Sequence, residues 1–86
     1  MNTLDHLPIE KLKNLGPKSG AALRAIGITT IGELRQIGAV EAFILLRRSG
    51  RTFNRVMLWA MAMGLEERHW QDVTPREKRD LTAGLL

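Results

Sequence analysis

Three five-residue strings recur eleven residues apart: "LKNLG" at 12–16, "LRAIG" at 23–27 and "LRQIG" at 34–38. In each, a leucine and the Leu or Ile three positions later share one helical face. The basic residue between them suits the negative end of a helix, and the glycine offers a left-handed stop. A chain punctuated this often can hold only short helices. Three copies at so short a period are too few and too small for a stacked repeat array, so the strings read as helix stops inside one bundle.

Helix starts agree with these stops. Thr30 with Glu33 forms a capping box for a helix over about 30–37, and Thr74, Pro75 and Glu77 combine a capping box with proline in the first turn. The terminal helix turns Leu81 and Leu85 inward and Arg76, Lys78, Arg79 and Asp80 to water. Between lie "AVEAFILLRRSG" and "TFNRVMLWAMAMGL", two apolar-rich segments ending in glycine and separated at Ser49-Gly50. The second is apolar nearly all round and belongs at the centre, where the methionines and aromatics are needed as core. "GITTIG" is a connection rather than a strand. The expected fold is all-α, a compact bundle of five or six short helices with one tight hairpin-like corner, forming one domain over 1–86.

At 86 residues, 44% of them hydrophobic, the chain can bury a single core but has little room for an internal active site. It has no cysteine, hence no disulfide or thiolate metal site. Its apolar runs fall short of the ~20 residues that cross a bilayer, and the N-terminus lacks a signal-peptide pattern, so a cytoplasmic protein with no membrane partner is expected. His6 and His69 are far apart with no metal-ligand spacing, and no metal or other cofactor is expected. His69-Trp70 instead closes the corner before the last helix, with the indole buried. Ser19 and Ser49 have no neighbouring histidine, adjacent Glu66 and Glu67 diverge by about 100° on a helix, and no phosphate-loop or dinucleotide fingerprint occurs. A binding protein rather than an enzyme is expected. A net charge of +4 points to an acidic partner.

Two places could meet that partner. At "NLGPKS", Gly16 caps a helix and Pro17 takes its first position, so the amides of Lys18 and Ser19 lack helical partners. Free amides at a positive helix end, with the Lys18 charge and the Ser19 hydroxyl, can hold an anion. Small Gly20, Ala21 and Ala22 let the preceding helix pack closely, and Asn14 tolerates a left-handed backbone. The second place is Arg47, Arg48, Arg51 and Arg55, four arginines within nine residues. They either track a phosphate backbone or dock an acidic protein face, or else Arg47 and Arg48 merely complement a helix C-terminus while Arg51 and Arg55 are solvated. The DNA reading gains if Lys18 shares a face with these arginines.

The "NLGPKS" corner resembles the helix-hairpin-helix motif, which presents backbone amides to a DNA phosphate. Asn14 stands where that motif has its first glycine, narrowing the approach of a phosphodiester. More widely, residues 12–43, then "LRRSGRTFNRVMLWAMAMGLEERHW", then the polar run leading to Lys78 and Leu81 resemble the C-terminal domain of the TfoX/Sxy family over about residues 7–82. Arg55 departs from the plainly apolar helix start expected there. The resemblance implies a small all-helical domain and a part in switching on DNA-uptake genes, in some bacteria together with the cyclic-AMP receptor protein. Full-length members usually carry an N-terminal domain that these residues do not include. Two mechanisms follow. In one, Gly16, Lys18, Ser19, Arg47, Arg48, Arg51 and Arg55 contact DNA phosphates without reading bases. In the other, which the abundance of methionine favours, a helix face packs on a transcription regulator or on a second copy as a homodimer, with the arginines as its polar rim.

Overall fold

Helices form wherever a capping residue or proline precedes an apolar face. In the computed structural model, which describes residues 4–85, the order is a 3-10 turn at Ile9–Lys11, α1 (Pro17–Ala25), α2 (Ile31–Ile37), α3 (Ala39–Arg48), α4 (Arg55–Leu65), a 3-10 turn at Trp70–Asp72, and α5 (Pro75–Ala83). The fold is all-α. Among the described residues the only strand-like feature is an isolated antiparallel bridge between Pro8 and Thr30. It forms because the 4–9 segment lies along "GITTIG": the Ile9 amide donates to the Thr29 carbonyl at 3.0 Å and the Ile31 amide to the Leu7 carbonyl at 3.1 Å.

Both capping boxes are present. The Glu33 amide donates to Thr30 Oγ1 and the Glu77 amide to Thr74 Oγ1, each at 3.1 Å, while both glutamates reach back to the capping amides. Gly27, Gly38 and Gly50 adopt φ of +90°, +91° and +87°, the left-handed stops expected of them. Gly38 both ends α2 and starts α3.

Two glycines behave differently from their expected role. No α-helix precedes Gly16, whose φ is −142°; the proline after it favours extended backbone, and the left-handed residue of this corner is Asn14, at φ +77°. Gly64 does not end α4, which runs on to Leu65 and turns at Glu67, φ +58°. Gly64 is buried, and a Cβ there would collide with the Lys13 carbonyl oxygen, so this glycine lets the N-terminal segment lie directly on α4. Glu66 and Glu67 consequently sit in the turn after the helix rather than on it.

The core gathers around α4, where Met57, Leu58, Trp59, Ala60, Met61, Met63 and Gly64 are buried. Ile9, Leu23, Ile28, Ile31, Leu34, Phe43 and Leu46 close over it from the other elements. Because Met57, Met61 and Met63 are all inside, they provide no methionine face for a partner. The last helix, α5, has no fully buried residue. Half-buried Leu81 and Leu85 hold it to the core, with Lys78 Nζ 5.9 Å from the Trp59 ring. Trp70 is half-buried rather than buried, its ring stacked on exposed His69 with centroids 6.0 Å apart.

Candidate nucleic-acid interface

Local geometry makes the Gly16 corner open on one side and tied down on the other. The left-handed turn at Asn14 sends its side chain inward. Its Nδ2 donates to the carbonyls of Ala60 (3.2 Å) and Arg68 (2.9 Å), and its Oδ1 accepts the Trp70 amide at 3.2 Å. The side chain therefore does not narrow the outer approach, contrary to the expectation from sequence; it pins the corner to α4 and to the turn beyond it. A Cβ on Gly16 would meet nothing within 4 Å, so neither packing nor its backbone angle demands a glycine. Helical bonding begins with the Gly20 amide donating to the Gly16 carbonyl at 2.8 Å. Among the described residues the amides of Gly16, Lys18 and Ser19 have no partner. Of the small residues that follow, Gly20 and Ala22 are buried and Ala21 is exposed. A Cβ at Gly20 would strike Glu10, which pairs with Arg24 at 2.6 Å.

The link between α3 and α4 supplies the second half. After the left-handed Gly50, residues Arg51 to Phe53 exchange no backbone hydrogen bond with any described residue, and Asn54 restarts the helix by accepting the Val56 amide on Oδ1 at 3.0 Å. Lys18 lines one groove with Arg51, Thr52, Phe53 and Asn54. Those four residues continue into a cavity of about 650 Å³ walled also by Phe43, Arg47, Gly50 and Arg55. Arg47 then reaches a third hollow with Arg48, Ile44 and Leu85. Lys18, Arg51, Arg55 and Arg47 thus share one continuous face, with Arg48 at its far end. Arg47 is held in place over the Phe43 ring, 5.7 Å from the centroid.

This face is electrostatically one-sided. No acidic residue lines any of the three hollows. None of Lys18, Arg47, Arg48, Arg51 and Arg55 has an acidic partner among the described residues, whereas Arg24, Arg35 and Arg68 are all ion-paired. The helix starts follow the same division. Glu33, Glu41 and Glu77 lie in the first turns of α2, α3 and α5, but α1 and α4 have no acid there and carry Lys18 and Arg55 instead. An acid at a helix N-terminus offsets the positive end of its dipole, so α1 and α4 keep theirs, and both open on this face.

Asp5, Glu10, Glu33, Glu66 and Glu77 are committed elsewhere. Hydrogen bonding from Arg68, then from the Thr74 amide, holds the Glu77 carboxyl down at about 2. Arg24 does the same for Glu10, also to about 2, and the Thr29 hydroxyl and amide lower Glu33. Ser49 Oγ donates to the Leu46 carbonyl at 2.6 Å. Among the described residues no group of three or more His, Cys, Asp or Glu could hold a metal ion, and no helix is long and apolar enough to cross a membrane. What the face offers is fixed positive charge, free amides and open hydroxyls. Thr52, Phe53, Asn54 and Phe43 also line it and were not singled out from sequence; Asn54 is legible in retrospect as the cap before Arg55.

Comparison with known proteins agrees with this architecture. The model of the TfoX C-terminal domain matches residues 6–85. The DNA transformation protein TfoX of Haemophilus influenzae is 33% identical over 73 residues, covering 85% of this chain and 34% of that protein. DNA polymerase IV of Shigella flexneri is 40% identical over 65 residues, 76% of this chain and 17% of the polymerase. The chain thus spans about a third of the one relative and a sixth of the other. A crystal structure of an uncharacterized protein from Listeria monocytogenes superimposes with a TM-score of 0.80 over 87% of this chain and 85% of that one, at 24% identity, a likeness of fold alone. The chain belongs to the TfoX C-terminal domain family.

Proposed function

We propose that this domain is a non-enzymatic module that binds DNA through its phosphate backbone, in the service of DNA transformation. The observation that carries the reading is the single groove lined by Lys18 from the start of α1 and Arg51 from the α3–α4 link, continuous with Arg47 and Arg55 at the start of α4. One phosphate sits on the amides of Gly16, Lys18 and Ser19, and the next ones meet Arg51, Arg55 and Arg47, with Arg48 extending the track. Such contacts fix a duplex without reading its sequence. The names of the relatives support the same ligand, one a DNA transformation protein and the other a DNA polymerase.

The rival, association with a transcription regulator or a second copy, needs an apolar centre to its interface. The methionines are buried, and among the described residues only Ile37 and Val56 are large hydrophobics counted as exposed, at 39% and 38%. Isolated residues of this kind are ordinary surface. Fluorescence anisotropy with a short duplex at low salt tests the reading. The unaltered domain binds, and Lys18→Glu combined with Arg51→Glu lowers affinity about a hundredfold or more, two charge-assisted contacts being replaced by repulsion. Unchanged affinity in that double variant, or no binding by the unaltered domain, rules the reading out.

A further inference from the structure

We infer that the cavity between α3 and α4 receives an unpaired nucleobase, so that single-stranded DNA is the preferred ligand; this rests on the DNA reading above. Phosphate contact needs charge and donors but makes no use of aromatic surface. Here the charge surrounds a shallow, open depression of about 650 Å³. Its walls are also of the wrong kind for phosphate alone. Phe43 is buried and only backs the Arg47 guanidinium, whose outer face is open, and half-buried Phe53 stands in the wall with part of its surface open to the depression. Aromatic rings and arginine planes are the surfaces on which unpaired bases stack, with no demand on sequence.

A base also needs partners for its edge, and the same segment has them unused. The backbone amides and carbonyls from Arg51 to Phe53 have no partner among the described residues, nor does the Thr52 hydroxyl. Asn54 caps α4 with Oδ1, which leaves its Nδ2 free to donate. The flanking phosphates of such a base would fall to Arg51 and Arg55 at the rim, and the strand would continue toward Lys18 along the neighbouring groove. A base paired in a duplex has its edge occupied and would have to leave the stack first, a cost that a single strand does not meet.

The test compares three labelled probes of matched length by anisotropy at low salt: an oligo-dT strand, the same strand with abasic sites, and a blunt duplex. The intact strand is expected to bind about fivefold or more tighter than the abasic strand, the lower end of base–aromatic stacking, and tighter than the duplex. Phe53→Ala should remove the advantage over the abasic strand, read as the ratio of the two strand affinities in the same variant. Because Phe53 packs partly on the core, its melting is followed in parallel, and if that variant unfolds the abasic comparison on the unaltered protein decides alone. Equal binding of intact and abasic strands, or a duplex bound as tightly as the intact strand, overturns the inference and leaves the phosphate reading standing. Failure of all three probes to bind overturns both.

Discussion

Helices α2 and α5 begin with a threonine and a glutamate closing on each other, whereas α1 and α4 begin with a lysine or an arginine and no acid. The first pair satisfies its own free amides and offsets its own dipole. The second pair has no acid to offset its positive ends, although Asn54 caps one amide of α4, and the α3–α4 link brings both onto one groove. Stability alone favours the closed form at every start, since each box adds on the order of 1 kcal/mol. The two starts without an acid therefore forgo a local stabilisation that the other two have, and they are the ones that the DNA reading uses.

The largest effect is expected at the residue beneath the open start of α1. Asn14→Ala removes three hydrogen bonds, strands the Trp70 amide and the Arg68 carbonyl, and puts alanine at a left-handed position, for a loss of about 2–3 kcal/mol in chemical denaturation. Asn14→Gly should lose less, because only the side-chain bonds go. Next, Ser19→Glu converts the open start into the closed kind by placing a carboxylate in the first turn of α1. It should lower DNA affinity about tenfold while raising helix stability by about 0.3–1 kcal/mol, two changes of opposite sign read by titration and by melting. If binding survives it, the distinction between starts means nothing for function.

Thr74→Ala is the converse, opening a closed start. It should cost about 1 kcal/mol of stability and leave DNA affinity as it was. The smallest effect concerns acid. Glu77 is held at about 2 in the fold against 4.5 unperturbed, so its contribution is complete above about pH 4.5 and is lost as pH falls toward 2. Acid melting of Glu77→Gln should accordingly be flatter over that window than melting of the unaltered domain.

What sequence reading could reach is divided by distance along the chain. Both capping boxes and the left-handed Gly27, Gly38 and Gly50 depend on neighbours within four residues, and all were legible. Gly16 was legible as the cap of α1 but, like Gly64, was misread as a helix stop, because the surroundings of both come from elsewhere. Asn14 takes the left-handed position through partners at Ala60, Arg68 and Trp70, and Gly64 is small because Lys13 lies against it. The meeting of Lys18 with Arg51 belongs to the same class. Neither residue carries a local sign of the other, and only the packing of α1 beside the α3–α4 link brings them into one groove.

The salt dependence of duplex binding tests the central claim most directly. Engagement of three or four phosphates by the open face predicts that log affinity falls with log salt at a slope of about −3, flattening by about one unit for each of Lys18→Ala and Arg51→Ala. A slope near zero, or one that neither substitution alters, would contradict it.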